Sequence, residues 1–142
     1  MESKSYIIEQ NSIDKILETL NTEHRICYEI SDKELESAGL IKTEGIYEII
    51  VRNVNSFDGY DMHIRKKTNN LVFNDCDLDN NDRIYIETTN DITINNCTLG
   101  NFFIGRNHQK DICISNSYIE YLTIDESVLR KVKIDNSIID YL

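Results

Sequence analysis

Residues 91–142, broken every five residues, read DITIN NCTLG NFFIG RNHQK DICIS NSYIE YLTID ESVLR KVKID NSIID YL. In nearly every five, the second and fourth places are apolar or small while the first and fifth are polar. The fourth place runs Ile94, Leu99, Ile104, Gln109, Ile114, Ile119, Ile124, Leu129, Ile134 and Ile139, and only RNHQK fails at both places. A second period of 20 lies over the first. The second place is β-branched in Ile92, Ile112 and Val132, small in Cys97, Ser117 and Ser137, and large in Phe102, Leu122 and Leu142. Like side chains recurring at that interval fill the same layer of a narrow interior when equal turns of chain stack on one another. The expectation is a mainly β chain, a parallel β-helix.

Working backward, Leu71, Phe73, Cys76, Leu78, Ile84 and Ile86 form one coil, and Ile49, Val51, Val54, Ser56, Met62 and Ile64 another, offset by 22. The extra residues fall in Phe57–Asp61 and Asp79–Arg83, expected as loops along one line of the stack. About four to five coils result, the stack occupying 46–142 and roughly 22 Å at ~4.8 Å per coil. One corner carries Asn53, Asp75, Asn96, Asn116 and Asn136. Asn and Asp tolerate the left-handed backbone of a tight bend, and stacked amides can bond from coil to coil.

These residues resemble known families. The fives are similar to pentapeptide-repeat proteins, right-handed four-sided β-helices. The pattern I-x-I-x-N-[CS]-x-[LI] in ITINNCTL, ICISNSYI and VKIDNSII also resembles three-sided right-handed β-helices of the pectate-lyase type. The resemblance covers 91–142 well and residues from about Ile49 onward loosely. The chain departs from pentapeptide repeats in its bulky Ile, Phe and Leu and in lacking Asp or Asn between the inward places, so four and three sides both remain open.

Residues 1–45 do not repeat. Asn11 or Ser12 caps an expected helix whose Ile13, Ile16, Leu17 and Leu20 make one apolar stripe. Arg25–Ile30 alternates as a strand, and Ser31 with Glu34 signals a capping box before a helix over 32–38 that stops at Gly39. A small α/β cap over the first coil is expected, because an open first coil exposes strand edges and an apolar end.

The 142 residues carry 25 acidic and 15 basic side chains, a net charge of −10 divided as −4 over 1–70 and −6 over 71–142. That surface repels phosphate, which disfavours direct nucleic-acid binding and favours a basic protein partner. No apolar run is long enough to span a bilayer and no leader pattern opens the chain, so a soluble, cytoplasmic protein with no membrane partner is expected. Cys27, Cys76, Cys97 and Cys113 have no zinc-like spacing to one another or to His24, His63 or His108. Stacked core thiols are the expected role of Cys76 and Cys97.

Asp75, Asp77 and Asp79 imitate a calcium loop, but Ile86 stands where the closing Glu belongs, and outward places on a strand explain the same spacing. No triad, phosphate loop or converging carboxylate pair is legible, so no catalytic residue, metal or cofactor is expected. The surface supplies the candidates. Asp75, Asp77, Asp79, Asp82, Glu120, Asp140 and exposed Tyr118 are the expected partner-binding residues, with Tyr121 and Tyr141 near corners.

Resemblance to pentapeptide-repeat proteins that occupy the DNA site of gyrase implies a non-catalytic, DNA-mimicking inhibitor of a nucleic-acid-binding enzyme. Gyrase or a CRISPR effector met by a phage anti-defence protein are two such targets. The alternatives are a glycan-binding or glycan-cleaving β-helix acting through Asp75–Asp82, and a self-associating structural repeat. An end-to-end homodimer is expected through Ile138, Ile139, Tyr141 and Leu142.

Overall fold

The structure, a computed structural model, describes residues 5–21, 29–42, 45–65, 68–87, 91–105, 108–125 and 128–141, with the backbone alone described at 21, 108–110, 125, 128–131 and 141. Among them two six-stranded parallel sheets form a β-solenoid of about four turns. One sheet is built from β1 (Ser5–Ile8), β3 (Glu48–Arg52), β5 (Asn70–Asn74), β7 (Asp91–Asn95), β9 (His108–Ser115) and β11 (Val128–Asp135). The other contains β2 (Glu29–Ile30), β4 (Asp61–Ile64), β6 (Arg83–Ile86), β8 (Thr98–Gly105), β10 (Tyr118–Asp125) and β12 (Ile138–Tyr141).

The register follows the size columns. Ile92 pairs with Ile112 and Ile112 with Val132, while Phe102 pairs with Leu122. The inward residues Ile49, Val51, Leu71, Phe73, Ile92, Ile94, Ile112 and Ile114 are buried, and the Phe73 and Phe102 rings meet edge to face at 5.3 Å. In β10 the alternation breaks once, because Glu120 and Tyr121 both face outward between buried Ile119 and Leu122. A strand bent there lines two successive sides of the coil.

The corner column forms as its residue types dictate. Asn53, Asp75, Asn96, Asn116 and Asn136 all adopt positive φ, between 50° and 55°. Their N–H groups donate to the next coil: Asp75 to Asn95, Asn96 to Ser115, and Asn116 to Asp135, each at 3.1 Å. Side chains add a second rail, from Asn96 Nδ2 to Asp75 Oδ1 at 2.6 Å and from Asn136 Nδ2 to Asn116 Oδ1 at 2.7 Å.

The small column just past the corner is chemical as well as steric. Ser117 Oγ accepts the Cys97 N–H at 3.0 Å, Ser137 Oγ accepts the Ser117 N–H at 3.1 Å, and Cys97 Sγ takes the same place for Cys76 at 3.5 Å. Each hydroxyl also donates down, Ser117 to the Ser115 carbonyl and Ser137 to the Asp135 carbonyl. The bend turns these amides away from ladder pairing, and a short side chain from the coil above satisfies them. Cys76 and Cys97 are free and buried; the hydrogen bond with Cys97, and then burial, push the Cys76 thiol upward.

At the first end, α1 (Gln10–Asn21) buries Ile13, Ile16, Leu17 and Leu20 as expected, but it starts earlier than Asn11 or Ser12. Glu9 caps it, its carbonyl accepting the N–H groups of Ser12 and Ile13. The helix α2 (Asp32–Ser37) has the expected capping box, with Glu34 accepting from the Ser31 N–H and hydroxyl, and Gly39 closes it at φ 75°. Of the expected strand 25–30 the structure shows Glu29–Ile30, and 25–28, like Cys27 and His24, lie outside the described residues.

The boundary drawn at residue 45 is crossed by both sheets. β1 pairs with β3 through Ser5–Glu48 to Ile8–Val51, and β2 pairs with β4 through Glu29–Asp61 and Ile30–Met62. The cap is therefore a further, degenerate rung with a helix inserted between its two strands. No described helix is long and apolar enough to cross a membrane.

Candidate functional site

The two insertions meet. Phe57 and Tyr60 turn inward and are buried, so Asp58 (φ 51°) and Gly59 (φ 84°) form a turn, closed by the Tyr60 N–H to the Phe57 carbonyl at 3.0 Å. In the next coil the Asp79 side chain accepts the Asn81 N–H at 2.8 Å, and the Asp82 N–H reaches the Asp79 carbonyl at 3.1 Å. Asp82 then folds back beneath the first loop, and its Oδ1 accepts the Phe57 N–H at 2.8 Å. Burial, the largest effect on it, pushes the Asp82 carboxyl above its ordinary pKa against the opposing pull of that amide.

Between the loops lies a cleft of about 730 Å³ lined by Ser56, Asp58, Gly59, Asp61, Asp79, Asn81, Asp82 and Arg83. Four carboxylates face one guanidinium there. The floor is rigid, because Asn101 Nδ2 holds the Asn80 carbonyl at 3.0 Å and the Asp79–Asn80 backbone lies directly on Gly100. A Cβ on Gly100 would stand 2.3 Å from the Asp79 oxygen, a distance no side chain survives. Gln10 of α1 secures the opposite wall, its Oε1 accepting the Asn55 and Ser56 N–H groups at 2.8 and 3.0 Å.

The expected partner-binding residues divide. Asp79 and Asp82 line the cleft, and Asp82 does so from a buried position that fixes the loops. Asp75 belongs to the corner rail, and Asp77 faces outward on a bridge to Thr98, its N–H bonded to the Val54 carbonyl at 3.0 Å. Glu120 and Asp140 stack at successive coils, as the flanking pairs Ile119–Ile139 and Tyr121–Tyr141 show, and the Tyr118 hydroxyl donates to Asp140. Asp58 and Asp61 also line the cleft though they are not among the expected partner-binding residues, and Arg83 does so at the end of the expected Asp79–Arg83 loop. The signal was present in the two insertions, which share one line of the stack and each carry aspartates. Of the expected dimer residues, Ile138 is exposed and Ile139 half-buried; the Tyr141 side chain and Leu142 lie outside the described residues.

Beside the cleft, the outer face of the second sheet carries an aromatic row. His63 stacks on Tyr85 at 4.5 Å, Tyr85 leans on Phe103 at 5.7 Å, and Tyr121 stands in the neighbouring column. Arg65 ties the row's edge to Glu29 at 3.0 Å and Glu87 at 3.2 Å. Among the described residues no group of three or more His, Cys, Asp or Glu side chains is placed to hold a metal ion. Comparison with protein-family models, with curated proteins and with solved structures gives no match.

Proposed function

We propose that the chain is a non-catalytic protein-interaction module whose acidic cleft receives basic side chains of a partner. The observation that carries this reading is the excess of four aspartates over one arginine around a rigid concavity of about 730 Å³, on a chain of net charge −10. Lysine or arginine side chains entering it replace water with charge-assisted hydrogen bonds to carboxylates, and the surrounding field speeds their approach. Enzymes that bind nucleic acid present such side chains in rows, so inhibition by occupying a phosphate site is the function this surface suits. The absence of a catalytic role is supported by Asp82, the cleft carboxyl with the raised pKa, being committed to the Phe57 amide.

The test is capture of partners from a lysate of the native source with wild type and with Asp58→Asn/Asp61→Asn/Asp79→Asn. Basic proteins retained by the first and lost by the second support the reading. Equal retention refutes it. The aromatic row favours a second reading, a glycan-binding face on which sugar rings lie against Tyr85 and Phe103. Binding on a glycan panel that is lost in Tyr85→Ala but kept by the triple Asn variant would replace the first reading with this one.

A further inference from the structure

On the outer face of the second sheet one column runs His63, Tyr85, Phe103, Thr123, each set opposite the next by the strand register. The strands that carry it, β4, β6, β8 and β10, are all paired on both sides, so the column belongs to the body of the stack. His63 and Tyr85 lie nearly parallel, 13° apart at 4.5 Å, and cover each other's faces. The third ring leaves the stack. Phe103 is turned 46° from Tyr85 at 5.7 Å, and its edge settles over Gly105, where an added Cβ would stand 2.7 Å from Cε1. Thr123 holds the fourth place, and its short, exposed side chain leaves Phe103 uncovered from that side.

The step in the column makes a pocket of about 160 Å³ walled by Tyr85, Phe103, Tyr121, Asn101 and Thr123. Its walls are ring surface and neutral oxygens, with no carboxylate among the described residues that line it. Asn101 spends its amide nitrogen on the Asn80 carbonyl at 3.0 Å, so the group it offers is the acceptor Oδ1. The same bond sets the pocket beside the acidic cleft, since Asp79 and Asn81 flank Asn80 and line that cleft. Arg83, opposite Asn101 on the neighbouring strand, lines the cleft and not the pocket.

Three ligand chemistries meet these walls differently. An ammonium is compact and strongly hydrated, and it seeks the carboxylates that the cleft has and the pocket lacks. A neutral sugar uses ring faces but draws nothing from a chain of net charge −10. A guanidinium is planar and weakly hydrated, stacks on ring faces, donates from its rim to neutral oxygens and is drawn in by the acidic field. We infer that, given a cleft that receives basic side chains as proposed above, the pocket takes an arginine of the same partner. The recognised segment then carries arginine beside its other cations.

Titration calorimetry of the full chain with nona-arginine and nona-lysine peptides at about 0.1 M salt tests this. Wild type is expected to hold the arginine peptide at least about fivefold more tightly. Phe103→Leu removes the ring face and Thr123→Phe covers it. Each is expected to bring the ratio close to one while leaving the lysine affinity unchanged, which shows that the cleft is still folded. Equal affinities in wild type, or a ratio that survives either variant, overturn the inference. The cleft reading stands in that case if Asp58→Asn/Asp61→Asn/Asp79→Asn weakens both peptides. Failure of both peptides to bind at about 1 mM refutes the cleft reading and the arginine site with it. Binding of a neutral oligosaccharide that is abolished in Phe103→Leu overturns the inference too, and gives the pocket to a glycan.

Discussion

Ser117 gives the sharpest test of how the coils are fastened. Its side chain is buried, accepts the Cys97 N–H at 3.0 Å and donates to the Ser115 carbonyl at 2.8 Å. Ser117→Ala removes one oxygen with almost no change in volume, so packing contributes little. The Ser115 carbonyl keeps its bond from the Asn96 N–H at 3.1 Å, but the Cys97 amide loses its acceptor in a buried place. A buried donor left unsatisfied costs about 1–3 kcal/mol, so about 2 kcal/mol is expected, a fall in Tm of about 4–8 °C for a chain of this size.

Ser117→Cys is the control, since Cys97 already does this work for Cys76 at 3.5 Å, and a loss below about 1 kcal/mol is expected. Urea unfolding measures the loss, and amide exchange at Cys97 localises it, which guards against the limited cooperativity of stacked repeats. An alanine variant within about 0.5 kcal/mol of wild type, or a cysteine variant as damaged as alanine, refutes the ladder as a hydrogen-bonding device.

Gly100→Ala is expected to force the Asp79–Asn80 backbone off its seat, seen as lowered thermal stability together with weakened partner capture, because the added Cβ would meet backbone at 2.3 Å. At the corner, where Asn116 has φ 50°, Asn116→Gly should cost under about 1 kcal/mol and Asn116→Val about 2 kcal/mol or more by urea unfolding. Asp82 supplies a pH signature. Its folded pKa is raised, so the folded state holds the proton more tightly than the unfolded state, and stability falls as pH rises from the ordinary carboxylate value through the raised one. Asp82→Asn keeps an oxygen for the Phe57 N–H and should flatten that part of the pH profile without loss at neutral pH, whereas Asp82→Leu should unfold the loops.

The sequence displayed the stack because a coil repeats its constraints. Each of the five corners needed a left-handed residue, and each was met by Asn or Asp at a matching offset. Where constraint is not repeated, legibility fails. β1 and β2 are four and two residues long in non-repeating sequence, and their place in the sheets is decided by β3 and β4 rather than by their own pattern.

The column Cys97, Ser117, Ser137 was visible as a size class, but its hydrogen-bonding role depends on which way the bend turns three amides. Asp82 reads as a surface loop residue in sequence and is buried because the loop folds back onto Phe57. The row His63, Tyr85, Phe103 was hidden by unequal spacing, since the insertion at 79–83 shifts the offset between coils. Aligning coils on Met62–Ile64, Ile84–Ile86 and Phe102–Ile104 would have placed those rings in one column.

The central claim, that carboxylates of the cleft hold a basic partner, is tested most directly by the salt dependence of the affinity for a captured partner. If Asp58, Asp61 and Asp79 pair with cations of the partner, raising salt from about 0.1 to 0.5 M should weaken binding by at least about tenfold, and the triple Asn variant should show a smaller slope. An affinity unchanged across that range, with wild type and variant alike, would contradict the account.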